Sequence, residues 1–324
     1  MKRILVFSFS NIGDAVLSTA VIQPLRSHFK DVHLTYLVGP RAVGILKTDP
    51  QIDATVVYEN RGVHAGLKGR LKLIRTLRQE KFDLVVNLRD SFLARCIGAE
   101  HWGLVRGERN RHAVVRYLEV LRRNGVDTTD AKPNIQLCEE EETYARRFLE
   151  ESEIASKQLL IGIHPGGNWE YKLWHAEKFA QLADTLNASD DISVLLFAGP
   201  DERNLQSQIA GMMKTSPVIV ETSNLREVAG LISACNVYIG NDTGPMHIAA
   251  AVGTPVVAMF GSTNHIRSGP YGEVHVVVQS ELDLGCNPCH PGRNPGGCGA
   301  GSCAVIDAIS VEQVIKKVTH LISD

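Results

Sequence analysis

The sequence predicts an α/β protein with two doubly wound, parallel-sheet domains that face a central cleft. Three observations support this prediction. The chain has 324 residues, whereas a single hydrophobic core usually stops growing at roughly 250–300 residues. Short apolar runs rich in Val, Ile and Leu alternate with amphipathic stretches of helical length, which is typical of parallel sheets covered by helices. This alternation occurs twice, once in each half of the chain.

In the first half, four apolar runs predict buried strands at residues 4–7, 34–38, 55–58 and 84–88. Apolar residues at helical spacing predict a helix over residues 15–29. A second helix with a basic outer face is predicted from apolar residues that recur among Lys and Arg, at Leu67, Leu71, Ile74 and Leu77.

The second half repeats the pattern. Strands are predicted at residues 159–163, 194–198, 218–220, 237–239, 256–260 and 274–278. Helices are predicted at residues 176–187, 201–213, 225–235, 245–252 and 311–323. Capping signals support three of the helix starts, because Asn224 and Ser310 are suited to N-caps and Pro245 is suited to a first helical turn.

The acidic run at residues 139–142 and the polar stretch at 150–157 predict a linker. We therefore expect an N-terminal domain over residues 1–155 and a second domain over 156–310. The helix at 311–324 completes the chain.

Charge and hydropathy exclude several classes of protein. The net charge of −2 argues against a uniformly basic nucleic-acid binder. The sequence has no run of about 18 apolar residues, so no membrane span is predicted. The first apolar stretch is too short for a signal peptide. We therefore expect a cytoplasmic protein. Residues 41–123 carry 17 Lys and Arg against 9 Asp and Glu, which indicates either an anionic partner, such as a phosphorylated substrate or a membrane face, or solvated helix surfaces.

The first predicted strand is followed by Asn11-Ile12-Gly13-Asp14. This segment lacks the three spaced glycines of a dinucleotide fingerprint. Two interpretations of Asp14 are open: a helix N-cap, or a catalytic carboxylate at the edge of the cleft.

Two loops of the second half carry residues suited to a nucleotide. The first contains His164-Pro165-Gly166-Gly167 and then Lys172; paired glycines let backbone amides approach a phosphate, and the lysine supplies positive charge. Glu202 follows a predicted strand and can accept hydrogen bonds from ribose hydroxyls. As alternatives, His164 is a hydrogen-bonded turn residue and Glu202 a first-turn acid favoured by the helix dipole.

The strongest motif is Asp242-Thr243-Gly244-Pro245-Met246-His247, between a strand and a helix rich in small residues. Amides at the start of that helix would face a diphosphate, which the helix dipole favours. Asp242 is suited to orient a sugar hydroxyl. His247 has two interpretations, a phosphate contact or a core residue.

Taken together, these motifs resemble glycosyltransferase family 9, the bacterial heptosyltransferases that build the lipopolysaccharide inner core from ADP-heptose. The resemblance extends from about residue 4 to residue 320, with residues 242–263 the most specific and 40–135 the least. The matching segments are Asn11 to Asp14, His164 to Gly167, Lys172 with Trp174, Gly199 to Glu202, Asp242 to Ala250, and Phe260-Gly261 with Thr263.

The resemblance implies a glycosyltransferase-B fold, with the acceptor on the first domain, the donor on the second, and a final helix that crosses back to the first. It implies that Asp14 is the general base and Lys172 the diphosphate-binding lysine, although the turn at 168–171 is longer than the family's. Glu202 would contact the ribose. The donor-binding loop would comprise Asp242, Thr243, Gly244 and His247.

We therefore expect an inverting, metal-independent transfer of heptose from ADP-heptose to a lipid-linked, anionic saccharide acceptor, by an enzyme in peripheral contact with the inner membrane. Two alternatives are another nucleotide-sugar enzyme of the same fold, such as an epimerase, and a non-catalytic nucleotide-binding module. The epimerase would need no acceptor, and the module would tolerate Asp14→Ala.

A stretch rich in Gly and Pro contains four cysteines within 18 residues: Cys286, Cys289, Cys298 and Cys303. Four thiolates can bind Zn or Fe tetrahedrally. A structural metal is one interpretation of this cluster, and reduced thiols or a single disulfide are the others. No cofactor is expected for catalysis itself.

Overall fold

The computed structural model describes residues 1–104, 110–154, 159–282, 284, 289 and 303–323. The chain divides into two compact units, Met1–Cys138 and Glu139–Asp324. Each unit contains one parallel sheet connected by helices, so the predicted α/β class with two parallel sheets is confirmed.

Among its described residues, the first unit has five strands and six α-helices. The strands are β1 (Lys2–Phe7), β2 (Val32–Val38), β3 (Ala54–Val57), β4 (Leu84–Asn87) and β5 (Glu100–Gly103). The helices are α1 (Ile12–Ser18), α2 (Ile22–His28), α3 (Pro40–Leu46), α4 (Gly66–Gln79), α5 (Phe92–Arg95) and α6 (Ala113–Arg122).

The sheet of the first unit has the strand order β3-β2-β1-β4-β5, and every pair is parallel. The chain moves outward from β1 to β3 and then returns to the other side of β1. The direction of winding therefore switches between β1 and β4, where open α/β sheets bind ligands at the carboxyl ends of their strands. The loops after β1 and β4 lie at this point.

The helix predicted at residues 15–29 is broken in the structure. A 3₁₀ turn at Thr19–Val21 separates α1 from α2. Pro24 lies in the first turn of α2, and a proline has no amide hydrogen to bond the carbonyl four residues earlier. The proline therefore favours a new helix start over a continuous helix.

The second unit has six strands and eight helices among its described residues. The strands are β6 (Leu159–His164), β7 (Ile192–Phe197), β8 (Val218–Val220), β9 (Val237–Asn241), β10 (Val256–Met259) and β11 (Val276–Val278). The helices are α7 (Glu139–Glu151), α8 (Ala176–Asn187), α9 (Arg203–Met212), α10 (Leu225–Ser233), α11 (Gly244–Ala251), α12 (His265–Ser268), α13 (Ala304–Asp307) and α14 (Val311–Ser323).

The second sheet has the order β11-β10-β9-β6-β7-β8, again with every pair parallel. Its winding switches between β6 and β9, whose register places His164 beside Gly240. The two loops that carry the nucleotide-type motifs therefore leave neighbouring strands at the same edge of the sheet.

The division between the units falls earlier than the boundary expected at residue 155. The acidic run predicted to be a linker is the first turn of α7, which packs against α10 in the second unit. Glu141 and Arg226 form an ion pair across this contact, with 2.7 Å between Oε1 and Nε, and both side chains are buried. The charge of Glu141 thus has a partner inside the unit.

The final helix α14 packs on the sheet of the second unit. Its buried residues Val311, Val314 and Val318 belong to the apolar core of the second unit, where the helix packs against α8 and the β9–β11 side of the sheet. The helix therefore contributes to the core of the second unit, and its expected return to the first domain stays a prediction. No helix within the described residues is long and apolar enough to cross a membrane.

Candidate functional site

Asp14 lies in the first turn of α1, directly after β1, with a half-buried side chain. The N-cap position belongs to Asn11, so the N-cap interpretation of Asp14 is wrong. The Asn11 side-chain amide donates to Asp14 Oδ2 at 3.4 Å. Because α1 follows β1, the Asp14 carboxylate lies at the carboxyl edge of the first sheet, where open α/β sheets bind their ligands.

Tyr117 of α6 lies close enough to Asp14 for the two groups to interact electrostatically. Burial is the main cause that raises the pKa of Tyr117, and the negative charge of Asp14 adds to it. The phenol therefore stays protonated at neutral pH. The ring of Phe9, in the loop after β1, lies 5.5 Å from the Tyr117 ring, so aromatic side chains border the carboxylate site.

Arg89 is a residue that the sequence reasoning missed. It follows β4 in a tight turn, in which Asp90 has a positive φ of 52° and the Asn87 side chain bonds the backbone of Ser91. The Arg89 guanidinium donates to Ser10 Oγ at 3.3 Å. Among the described residues it makes no ion pair, so a half-buried cation stands at the sheet edge that carries Asp14. Its position directly after a predicted strand was the available signal.

Arg89 is held in place by more than one contact. Its guanidinium carbon lies 6.0 Å from the centroid of the Tyr58 ring, a distance at which a cation is attracted to an aromatic face. The planar guanidinium can bind a carboxylate or a phosphate through two parallel hydrogen bonds. The edge of the first sheet thus combines a carboxylate with a cation.

In the second unit, Lys172 and Asp242 form one ion pair. Lys172 Nζ lies 2.7 Å from Asp242 Oδ2 and 3.2 Å from the Asp242 carbonyl oxygen. The Asp242 side chain is 6% exposed and that of Lys172 is 24% exposed. The sequence motifs indicated separate roles for these residues, whereas the structure joins them.

Asn241 ties together the two loops that carry this pair. Its side-chain amide donates to the Pro165 carbonyl at 2.8 Å, and its side-chain oxygen accepts from the Trp174 amide at 3.2 Å. Asn241 is fully buried. The loop after β9 and the loop after β6 are therefore held together by buried hydrogen bonds.

Gly166 and Gly167 are required by close packing. A Cβ on Gly166 would lie 2.1 Å from the Glu202 carboxyl carbon, and a Cβ on Gly167 would lie 2.9 Å from side-chain carbons of Leu173 and Thr243. Side chains at these positions would push the loop away from its neighbours. The two glycines thus allow the loop after β6 to fit between Glu202 and Thr243.

Glu202 is engaged by the same loop. Its Oε2 lies 3.0 Å from His164 Nε2 and accepts from the Gly199 amide at 2.7 Å. Burial alone would raise the pKa of Glu202, but the hydrogen bond and charge of His164, together with the amides of Gly199 and Gly167, hold it below its ordinary value. The Glu202 carboxylate is therefore ionised at neutral pH. His164 is hydrogen-bonded, which agrees with its interpretation as a hydrogen-bonded turn residue.

Helix α11 begins beside this cluster. Thr243 occupies the N-cap position, followed by Gly244 and by Pro245 in the first turn, as the sequence predicted. The first amides of a helix have no partner within it, and the dipole makes this end positive. His247 is 5% exposed, which agrees with the core interpretation of that residue.

The cysteine cluster falls largely outside the described residues. Cys286 and Cys298 lie outside them. The Cys289 amide donates to the Ser262 carbonyl at 2.7 Å, and Cys303 is buried directly before α13. The structure therefore gives no geometry for a four-cysteine site.

The sequence and the fold are similar to those of known proteins. The family model for glycosyltransferase family 9 (heptosyltransferase) matches residues 103–296. Lipopolysaccharide heptosyltransferase 3 of Escherichia coli is 30% identical over 81% of this chain and 83% of its own. The crystal structure of a family 9 glycosyltransferase from Veillonella parvula has a TM-score of 0.86 at 29% identity, covering 99% of this chain and 97% of that one.

A further solved structure, E. coli ADP-heptose lipopolysaccharide heptosyltransferase II, shares the fold with a TM-score of 0.77 at 21% identity, over 100% of this chain and 99% of that one. These neighbours, with the two parallel-sheet units, confirm the glycosyltransferase-B fold that the sequence motifs implied. The matched family model spans more than half of the chain, and the E. coli relative covers most of it. The chain therefore belongs to glycosyltransferase family 9, the heptosyltransferase family.

Proposed function

We propose that the protein transfers heptose, with inversion, from ADP-heptose to a lipid-linked, anionic saccharide acceptor of the lipopolysaccharide inner core. The observation that carries the proposal is the Lys172–Asp242 ion pair beside the N-terminus of α11, in a chain of family 9. The N-terminus of α11 supplies positive potential where a diphosphate would bind, and Lys172 supplies a charged hydrogen-bond donor beside it. The enzyme would work in the cytoplasm, in peripheral contact with the inner membrane.

Lys172 would bind the diphosphate without leaving Asp242. An ammonium group has three hydrogens to donate, and Asp242 accepts at two atoms. One hydrogen remains for a phosphate oxygen, and the ion pair fixes the direction in which it points. As the bond to ADP breaks, Lys172 and the first amides of α11 would stabilise the charge that develops on the diphosphate.

Asp14 would act as the general base. Its carboxylate takes the proton of the acceptor hydroxyl as that oxygen attacks the anomeric carbon. The new carbon–oxygen bond forms on the face opposite the breaking bond to ADP, so the configuration inverts. ADP then leaves with the electron pair of the broken bond.

Glu202 would serve the donor site by holding the loop that contains Gly166 and Gly167. Its contacts with His164 and with the Gly199 and Gly167 amides support this role. A hydrogen bond from a ribose hydroxyl to the same carboxylate is compatible with its 20% exposure and remains part of the proposal.

The function is tested by incubating the protein with ADP-heptose and candidate inner-core acceptors, with mass spectrometry of the products. We expect an acceptor that has gained one heptose, together with ADP. Conversion of the donor to an isomer without any acceptor would identify an epimerase. ADP-sugar binding without any product would identify the non-catalytic module.

We further propose that Arg89 binds the anionic group of the acceptor. Arg89→Gln should raise the KM for a lipid-linked sugar-acid acceptor about tenfold, because one charge-assisted hydrogen-bonding partner is lost. The KM for ADP-heptose should not change. Steady-state kinetics with each substrate varied in turn measures both values.

The matched control for Arg89 is Arg95→Gln, which changes an exposed arginine of α5 in the same unit. This control should leave both KM values as they are. An unchanged acceptor KM in Arg89→Gln would contradict the role, and so would an equal rise in the control.

We propose that the four cysteines Cys286, Cys289, Cys298 and Cys303 bind one structural Zn or Fe ion. With four thiolates the tetrahedral site is closed, so the metal would stabilise the fold rather than bind substrate. Chelation should lower the Tm, while activity at low temperature persists as long as the protein stays folded. Elemental analysis of protein purified without metal-affinity resin checks the site. Less than about one tenth of an equivalent of Zn and Fe together, where a closed site predicts one, would exclude the metal.

A further inference from the structure

Helix α4 carries a second apolar strip that the core does not use. Leu73 and Leu77 are buried against the first sheet. Leu67 and Leu71 are nevertheless 75% and 55% exposed, and Val63, just before the helix, is 65% exposed. Because Leu67 and Leu71 are one helical turn apart, they form a continuous apolar strip on the outside of the helix.

The same segment is strongly and exclusively basic. Residues 60–79 contain no Asp or Glu. They contain six Lys and Arg residues, all exposed, which are Arg61, Lys68, Arg70, Lys72, Arg75 and Arg78. None of the six forms an ion pair with a described residue, whereas Arg123 of the same unit pairs with Glu119 at 2.9 Å. The charge of α4 is therefore not neutralised by any residue that the structure describes.

The positions of these cations follow from helix geometry. At about 100° per residue, Arg70 falls on one side of the Leu67–Leu71 strip. Arg75 and Lys68 fall on the other side. The apolar strip is thus flanked by cations along both borders, the pattern of helices that lie in the interface of a membrane.

We propose that this α4 surface, formed by Val63, Leu67 and Leu71 with the flanking cations Lys68, Arg70, Lys72 and Arg75, docks on an anionic phospholipid bilayer. The leucines would enter the boundary between headgroups and acyl chains, and the cations would contact lipid phosphates. The inference rests on the proposed function, because an enzyme with a lipid-linked acceptor has to meet that acceptor at a membrane surface.

Charge complementarity favours an anionic bilayer as the partner of the α4 surface. This surface has four cations that form no ion pair with a described residue, and no Asp or Glu, so it fits a partner whose charge is negative throughout, as in a leaflet rich in anionic lipid. The strip is one residue wide and lies on a convex helix, so it suits insertion between mobile headgroups. An acidic protein that docks here is the rival, and it would give no binding to protein-free vesicles.

The test is co-sedimentation of the whole protein with vesicles of phosphatidylcholine alone or with 30 mol% phosphatidylglycerol, roughly the anionic content of a charged leaflet. We expect binding to the anionic vesicles only, and a loss of binding as salt is raised, since salt screens exposed charges. Two variants should each lower the partition coefficient about tenfold or more, because one removes the apolar insertion and the other removes the attraction to anionic lipid. They are Leu67→Ser/Leu71→Ser and Lys68→Gln/Lys72→Gln/Arg75→Gln.

Matched controls change exposed residues of the same types in the second unit: Ile266→Ser and Lys316→Gln/Lys317→Gln. These variants should bind as the unchanged protein does. Circular dichroism establishes that every variant is folded. Absence of binding by the unchanged protein would overturn the proposal, as would variants that bind normally or controls that are weakened equally.

A second measurement separates this proposal from the proposed function. With ADP-heptose and a deacylated, water-soluble acceptor, the α4 variants should keep the turnover of the unchanged protein, since no membrane is involved. If the unchanged protein transfers no heptose to any acceptor, the proposed function fails, while sedimentation still decides whether the surface binds lipid. Loss of turnover on the soluble acceptor in the α4 variants would assign α4 to the acceptor site and overturn the docking role.

Discussion

Asp14→Asn should lower turnover by about 10²–10⁴-fold, the usual contribution of a general base. The substitution keeps the size of the side chain and its place in the first turn of α1, but an amide cannot take the proton of an acceptor hydroxyl. Affinity for ADP-heptose should be nearly unchanged, because the proposed donor residues all lie in the other unit. Single-turnover kinetics measures the loss of turnover, and calorimetry with ADP-heptose measures the affinity for the donor.

The pH profile adds a signature that a structural role would not give. If Asp14 is the base, the acidic limb of kcat/KM reflects its protonation in the free enzyme, and this limb should vanish in Asp14→Asn. Asp90→Asn is the matched control, since Asp90 lies at the same sheet edge and asparagine tolerates its positive φ of 52°. Near-normal turnover in Asp14→Asn, or an equal loss in the control, would remove Asp14 from the mechanism.

Apolar runs predicted the edge strands β3, β8 and β11 as well as the central strands of both sheets. Residues 4–7 and 84–88 are apolar runs because strands buried on both faces need apolar side chains throughout, and β1 and β4 lie there. Strand β5 escaped prediction because Glu100–Gly103 contains the polar residues Glu100 and His101 and so forms no apolar run. Periodicity is a weak signal for such short, partly exposed strands.

Helix α7 shows a different limit. Four consecutive glutamates suit a solvated linker, and they also suit the positive end of a helix dipole. The choice between a linker and a helix start depends on Arg226, which lies 85 positions away in the sequence and pairs with Glu141. No local pattern contains that partner, so the boundary between the units could not be read from composition.

In the candidate site, local sequence patterns predicted which residues lie at the sheet edge but not which of them contact each other. Tight turns after buried strands identified Gly166, Gly167 and Asp242 as residues at a sheet edge. Their contacts depend on strand order, because β6 and β9 are neighbours although two strands separate them in the chain. The Lys172–Asp242 ion pair follows from that topology. The contact between His164 and Glu202 instead joins the end of β6 to the loop after β7, and these strands are neighbours in both the chain and the sheet.

Lys172→Met should weaken ADP binding by about 10–10²-fold, the range expected when a charged hydrogen-bonding group is lost. Two causes act together: the diphosphate loses a cation, and the buried Asp242 carboxylate remains unpaired beside it. Asp242→Asn should weaken binding less, because Lys172 keeps its charge and loses only the group that orients it. Lys214→Met, at an exposed lysine of the same unit, is the control and should bind ADP normally.

The double variant Lys172→Met/Asp242→Asn tests whether the two residues act as a pair. With no unpaired carboxylate left, it should bind ADP more tightly than the product of the two single effects predicts, since residues in direct contact give non-additive changes. Calorimetry with ADP is carried out on the unchanged protein, the two single variants and the double variant, which together form a double-mutant cycle. Strict additivity would mean that the ion pair does not persist beside bound nucleotide, and unchanged affinity in both single variants would place the nucleotide elsewhere.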